Sequence, residues 1–204
     1  MKKLILTLAL CAAMDAATLV NNPSTFDGDT PALDVHGVLT DGWTVTPTLD
    51  VVGGGSFGGL FCHNDTGLGR CLDMDGTSGG SGRIIGHING IADTTYTVSF
   101  WLSGSQRNLG FNSLTDTVNV DADGTTASYT LPWDAPWTMF SLTFTTSNNG
   151  AINLRFEGLG SDDVGLLLDD ISIRQQGETP EPVTTTLCGL GLIAIGLRRR
   201  AQTR

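Results

Sequence analysis

The middle of the chain alternates apolar and polar residues with a period of two, and this pattern constrains the fold most strongly. In residues 95–103, Tyr96, Val98, Phe100 and Leu102 occupy one set of alternate positions, and Thr, Ser and one Trp occupy the other. Successive side chains of an extended strand point to opposite faces, so the alternation predicts a strand with one buried face.

Shorter alternating runs and clusters of turn-forming residues extend the pattern along the chain. The runs lie at residues 118–120, 140–144 and 152–156. The predicted turns, which are rich in Gly, Asp and Asn, lie at residues 53–55, 79–82, 123–124 and 148–150. No convincing helical periodicity precedes the C-terminal tail. The sequence therefore predicts an all-β, two-sheet sandwich.

The N-terminus has the pattern of a secretory signal peptide. Met1, Lys2 and Lys3 form a basic start, and the apolar run 4–13 follows. Small residues place cleavage between Ala13 and Ala17, so residues 1–17 are expected to be removed. A lipoprotein signal at Cys11 is disfavoured, because a bulky leucine precedes that cysteine.

The C-terminal tail, residues 180–204, combines a short motif, an apolar segment and a basic end. Pro180-Glu181-Pro182 precedes the apolar stretch 183–197, and Arg198, Arg199 and Arg200 follow it. The stretch is shorter than the roughly 20 residues of a comfortable membrane span, so we expect a transient transmembrane helix. Its arginines are expected to stay cytoplasmic and stop transfer through the inner membrane. Between the two ends we expect one domain, 18–174, and a linker, 175–179.

This tripartite tail resembles the PEP-CTERM sorting signal of Gram-negative bacteria. The resemblance implies cleavage by the membrane protease exosortase, and a host that makes extracellular polysaccharide. It therefore predicts a protein exported through the inner membrane, for which exosortase is a processing partner, and which reaches the cell surface or is secreted. An ordinary membrane anchor would explain the helix and the arginines but not the Pro-Glu-Pro motif.

The charge of the central part restricts its partners. Of the chain's 21 acidic and 11 basic residues, Asp15, Glu181 and six basic residues belong to the two ends, which leaves 19 against five in residues 18–178. Such an acidic surface repels phosphate backbones, so nucleic acid is an unsuitable partner. Cations and neutral glycans are more suitable.

Two cysteines remain after the ends are removed. Cys11 lies in the signal peptide and Cys188 in the tail, which leaves Cys62 and Cys71. Outside the cytoplasm these two are predicted to form a disulfide that closes a short loop. A Cys/His metal site is the less favoured interpretation of the same residues.

A second resemblance covers nearly the whole central domain, through the order of seven weak motifs. They are Asn21-Asn22, Phe26-Asp27, Gly42–Val45, Leu72–Gly76, Tyr96–Phe100, Trp137–Phe144 and Leu168–Ile171. Together they resemble the choice-of-anchor C family, which is similar to galactose-binding-like jelly rolls. The resemblance implies a jelly-roll sandwich. The Cys62 to Cys71 segment is not an expected part of that family.

Asp169 lies on the same alternate positions as Ile171 and Ile173, which predicts a buried carboxylate. A buried carboxylate needs a partner, and backbone N–H groups, an arginine such as Arg83 or Arg155, or a calcium ion would each serve. The family resemblance implies a structural calcium that joins Asp27 to Asp169. The neighbouring Asp170 is expected to be solvated.

Three other features have a chemical and a structural interpretation. Asp73 and Asp75 share one strand face and invite a cation, but a solvated pair before a turn is favoured. Ser78 matches a nucleophile elbow, but no helix is predicted after it, so a flexible turn is favoured. Trp101 on the polar strand face, with Trp133 in a nearby loop, forms a predicted carbohydrate platform, whereas Trp43 and Trp137 are assigned to the core.

These observations predict a non-enzymatic surface or matrix protein whose jelly-roll domain binds carbohydrate. A structural or adhesive module without a ligand is the alternative. A secreted hydrolase is less favoured, since the sequence offers no set of catalytic residues.

Overall fold

A computed structural model describes residues 22–55, 61–63, 69–107, 115–160 and 163–176. Within these ranges the chain forms twelve β-strands. They are β1 (Ala32–Val38), β2 (Thr44–Val52), β3 (Cys71–Asp73), β4 (Asp75–Gly76), β5 (Gly80–Ser81), β6 (Arg83–Gly90), β7 (Thr95–Ser103), β8 (Thr115–Ala122), β9 (Thr125–Pro132), β10 (Thr138–Thr145), β11 (Gly150–Gly158) and β12 (Leu167–Gln175).

The strands form a jelly-roll sandwich of antiparallel layers. Their hydrogen-bonded order is β10, β7, β12, β3, β2, β6, β11, β8, β9, with β1 added to β2 and with β4 and β5 as a separate pair. The strands at the two ends of this order, β9 and β10, are also in contact. The Tyr129 hydroxyl on β9 donates a hydrogen bond to the Ser141 carbonyl on β10, at 3.0 Å. The predicted all-β sandwich is confirmed.

The predicted alternation places the core between the layers. Trp43, Phe100 and Phe156 are completely buried, and Phe156 packs edge-on against both other rings, at centroid distances of 5.7 Å and 5.1 Å. The Trp43 indole N–H is satisfied by the buried Ser24 hydroxyl at 2.9 Å. Removing an aromatic ring from such a core costs about 3–5 kcal/mol, so these rings hold the layers together.

The turn prediction at Asp123-Gly124 is also confirmed. Both residues have positive φ, 50° and 81°, as the two-residue hairpin turn that joins β8 to β9 requires. One compact unit ends at Arg174, one residue before the end of β12. The predicted signal peptide, sorting motif, apolar helix and terminal arginines lie outside the described residues. No helix within the described ranges has the length and hydropathy needed to cross a membrane.

Candidate functional site

A disulfide joins Cys62 to Cys71, with their Cα atoms 5.4 Å apart. Both cysteines are buried in a small apolar cluster with Val52 and Leu167. This cluster is separate from the main core. The disulfide therefore fixes the two ends of the intervening segment against strands β2 and β12.

Asp169 on β12 is buried next to this disulfide, with 3% of its surface exposed. Its carboxylate oxygen and both sulfur atoms lie within 4.8 Å of one another. Two backbone groups donate to the carboxylate: Asp170 N–H to Oδ1 at 2.7 Å, and His63 N–H to Oδ2 at 3.1 Å. The prediction of a buried carboxylate is correct, and backbone N–H groups are part of its environment.

The strand face predicted for Asp169 is wrong. Leu168, Ile171 and Ile173 belong to the main core, whereas Leu167 belongs to the small cluster with the cysteines. Asp170 has a left-handed φ of 47°, which interrupts the two-residue alternation between Asp169 and Ile171. Asp169 therefore faces the disulfide and not the core.

The environment of Asp169 is negatively charged. Burial first, and then the Asp170 and Asp27 carboxylates, raise the pKa of Asp169 to about 9, although the backbone hydrogen bonds from Asp170 and His63 act in the opposite direction. Asp170 is not solvated as expected, because it is half-buried and hydrogen-bonded to His63 Nδ1 at 2.6 Å. The arginines considered as partners lie elsewhere: Arg83 contacts Thr46, and Arg155 contacts Asp121.

Asp27 and Asp169 have the donor chemistry that calcium requires. Both offer carboxylate oxygens, the ligands that hard cations prefer, and the charges that raise the pKa of Asp169 are those of Asp170 and of Asp27 itself. Asp27 Oδ1 accepts the Arg70 N–H at 2.9 Å. Cys62 and Cys71 do not add ligands, since metals bind thiolates and these sulfurs are joined in a disulfide. The residues fit an oxygen-coordinated divalent ion.

Trp101 is covered on one face by a histidine. The His63 and Trp101 rings stack with a centroid distance of 3.7 Å and an angle of 18°, and Trp137 contacts His63 edge-on at 6.0 Å. The backbone carbonyl of Trp133 accepts a hydrogen bond from the Gln106 N–H at 3.0 Å. Within the described ranges the ring stacked on Trp101 is His63, not Trp133. Trp137, which was assigned to the core, is half-buried against the small cysteine cluster.

Asp73 and Asp75 are both buried, so the expectation of a solvated pair is wrong. Asp73 Oδ1 accepts the N–H groups of Asp75, at 3.2 Å, and Gly165, at 2.9 Å. Its Oδ2 forms an ion pair with Arg107. Burial raises the pKa of Asp73 well above its usual range, although Arg107 and the two N–H groups act in the opposite direction.

Ser78 lies in the turn between β4 and β5, as a turn residue and not as a nucleophile elbow. Its N–H donates to Asp34 Oδ1 at 2.9 Å, and its hydroxyl lies 3.4 Å from the Thr48 hydroxyl. Strand β5 follows, where an elbow would require a helix.

An open groove of about 670 Å³ lies on the outer face of the sheet, where the sequence pattern predicted no site. It crosses the adjacent strands β2, β6, β11 and β8. Its lining includes Thr44, Ile85, His87, Asp121, Asn153 and Arg155. The alternation in β6 and β11 could have indicated the groove. Their residues Ile84, Leu154 and Phe156 point inward, so the groove-lining side chains between them lie on the outer face.

The groove contains paired charges and one buried polar atom without a partner among the described residues. Arg155 lies 3.2 Å from Asp121 Oδ2 and 3.8 Å from Glu157 Oε2. His87 Nδ1 is buried and has no hydrogen-bond partner in the part of the chain that the structure describes. Asn153 is exposed opposite His87 in the strand register. Buried polar atoms are normally paired, so His87 Nδ1 is an exception among the described residues.

No protein-family model matches the sequence, and no curated protein is significantly similar to it. Solved structures with a related fold include the CBM22-1 xylan-binding domain of Xyn10C from Paenibacillus barcinonensis, at 15% identity, 78% coverage of this chain, 97% coverage of that chain and a TM-score of 0.49. A CBM4 structure matches at 19% identity, 77% and 99% coverage and a TM-score of 0.42. An exo-β-1,3-galactanase from Phanerochaete chrysosporium matches at 14% identity, 71% and 29% coverage and a TM-score of 0.41.

Proposed function

We propose that the domain binds a neutral carbohydrate in the groove across β2, β6, β11 and β8. The polar side chains of His87 and Asn153, which line the groove and lie opposite each other in the strand register, carry this proposal, because a sugar hydroxyl can both donate and accept a hydrogen bond. Ile85 beside His87 offers an apolar contact for the C–H face of a sugar ring. Arg155 is already paired with two carboxylates, which favours an uncharged ligand over an anionic one.

The test is affinity electrophoresis of the exported protein through gels that contain neutral polysaccharides, including xylan, or an anionic polysaccharide. His87→Ala should weaken binding to the retained neutral polymer about tenfold, the effect of one well-placed hydrogen bond. His36→Ala is the matched control, because His36 is exposed on β1 away from the groove lining. Retention of the anionic polymer alone would contradict the proposed ligand class.

The platform predicted at Trp101 and Trp133 is the competing location. Trp133→Ala should leave retention unchanged if the groove is the binding site. Loss of retention in Trp133→Ala, together with normal retention of His87→Ala, would move the site to the aromatic surface. No retention on any polymer would favour the alternative, a structural or adhesive module without a ligand.

We propose further that the domain acts without catalysis. The hydrogen bonds of Ser78 to Asp34 and Thr48, and the β-strand that follows it, support a structural turn. The pairing of Asp121 with Arg155 engages one groove carboxylate in an ion pair. Turnover of a retained polysaccharide that Ser78→Ala abolishes would instead support a hydrolase.

We propose that the protein is exported and sorted by exosortase, with the C-terminal helix in the inner membrane until cleavage. The Pro180-Glu181-Pro182 motif, the apolar stretch and the terminal arginines support this proposal, and a disulfide suits an oxidising compartment. Replacing the three motif residues by alanine should leave a longer, membrane-retained protein, measured by band size and cell fractionation. Release of the altered protein at normal size would contradict sorting through this motif.

We propose that Asp27 and Asp169 hold a structural calcium ion. The bound ion would offset the negative charge of the Asp170 and Asp27 carboxylates near Asp169. Asp27 belongs to the segment before β1 and Asp169 to β12. Such an ion would therefore tie the start of the domain to its last strand.

A further inference from the structure

We propose that the Cys62–Cys71 disulfide, with the adjacent residues His63 and Arg70, is a clamp that orders the Asp27 and Asp169 carboxylates, so that closing the disulfide raises their affinity for calcium. This inference rests on the proposed calcium site. It goes beyond that site because it assigns a task to a segment that the family resemblance does not include. It also makes cation binding depend on a covalent bond formed outside the cytoplasm.

Both ends of the loop reach the acidic cluster through the residue next to each cysteine. His63, which follows Cys62, donates its backbone N–H to Asp169 Oδ2 at 3.1 Å. Arg70, which precedes Cys71, donates its backbone N–H to Asp27 Oδ1 at 2.9 Å. One crosslink thus fixes the donors that orient both carboxylates.

The His63 side chain fixes the position of this residue through two further contacts. Its Nδ1 atom lies 2.6 Å from Asp170 Oδ2, and its ring stacks on Trp101. Asp170 therefore anchors the clamp and is a positioning residue, not a ligand. The stacking also explains why Trp101 is not free on both faces.

Hydrogen bonds to ligating carboxylates determine how well a metal site is ordered, and losing them typically costs about 10–100-fold in metal affinity. Reduction would release the loop in a balanced step. A dithiol reductant transfers two electrons and two protons to the S–S bond, which becomes two thiols while the reductant becomes a disulfide. The loop ends are then no longer tied together, and the two N–H donors can separate from the carboxylates.

Because coupling between two equilibria is reciprocal, calcium should in turn protect the disulfide by the same factor. Calcium that favours the clamped loop makes reduction less favourable. This reciprocity gives the proposal a readout that does not involve carbohydrate binding.

The experiment is isothermal titration of the exported protein with calcium chloride, before and after treatment with dithiothreitol. We expect at least about tenfold weaker calcium binding in the reduced protein, and in the double variant Cys62→Ser, Cys71→Ser. The dithiothreitol concentration that reduces half of the disulfide should be higher in calcium than in chelator. Equal affinity in the oxidised and reduced forms would overturn the clamp alone, whereas an oxidised protein that binds no calcium would overturn the calcium site as well.

Variants that keep the disulfide test whether weaker calcium binding in the reduced protein comes merely from unfolding. His63→Ala removes the contacts to Asp170 and Trp101 and should weaken calcium binding, and Asp170→Ala should do the same. His36→Ala is the control that should bind as the unaltered protein does. Normal calcium affinity in both His63→Ala and Asp170→Ala would show that the loop does not act through these anchors, and would overturn the proposal.

Discussion

Two buried aspartates show two ways in which this domain accommodates a carboxylate. Asp73 and Asp169 are both almost inaccessible to solvent, and burial raises the pKa of each. Asp73 faces the guanidinium of Arg107, whereas Asp169 is surrounded by the carboxylates of Asp27 and Asp170. The chain supplies a cation to the first. The second accepts backbone N–H groups from His63 and Asp170, and we propose that it also binds a calcium ion from solution.

The largest expected effect comes from removing the internal cation. Arg107→Met should lower the free energy of unfolding by up to about 3–5 kcal/mol where Asp73 is ionised, because its buried carboxylate loses its charged partner. Arg107 lowers the pKa of Asp73 against the burial that raises it, so the variant raises this pKa further. The deficit should therefore shrink as the pH falls, because protonation of Asp73 removes the charge that Arg107 stabilises.

Urea unfolding at pH 7 and pH 5 would measure this deficit. Arg155→Met is the matched control, since Arg155 is partly exposed and pairs with Asp121 and Glu157 at the surface. It should cost less than about 1 kcal/mol. A deficit in Arg107→Met that does not change with pH would show that the pair does not depend on the charge of Asp73.

The second effect concerns the other aspartate. Calcium at a hundredfold excess over Kd should stabilise the domain by about 2.7 kcal/mol, measured as a rise in the melting temperature that chelator reverses. Asp169→Ala should remove most of this response. Arg107→Met should retain the response, because its charge defect lies at Asp73. A melting temperature that neither calcium nor chelator changes would show that the backbone N–H groups of His63 and Asp170 are sufficient to stabilise the Asp169 carboxylate.

The smallest expected effect comes from removing the Cys62–Cys71 disulfide. Intact-mass measurement with alkylation should show a Cys62–Cys71 disulfide in the exported protein, and the double serine variant should lose about 2 kcal/mol in stability. Two freely alkylated thiols in the exported protein before reduction would contradict this prediction.

The two aspartates also show how far the sequence could be interpreted. Alternation around Asp169 predicted its burial, but the left-handed Asp170 reversed the face on which it lies. For Asp73 the same pattern gave the wrong answer, since Leu72 and Met74 beside it are also buried and the whole segment is enclosed. A two-residue alternation assigns opposite faces, and it cannot show that both faces are covered.

The groove was missed for a related reason. Ile85 and His87 on β6 belong to the outer face by alternation, but they form a groove because β11 lies beside β6 with Arg155 opposite Ile85 and Asn153 opposite His87. The strand order that brings β2, β6, β11 and β8 together comes from crossover connections. Local sequence pattern does not specify that order.

The sequence by itself determined the β-strand character of the domain, the inward residues of strands such as β7, and the turn at Asp123-Gly124. These features depend on side-chain alternation and backbone preference within a few residues. The tertiary structure alone decided that Arg107 meets Asp73 and that His63 meets Asp170. Electrostatic and hydrogen-bond energies depend on distance in space and on burial, and strands far apart in the chain set both.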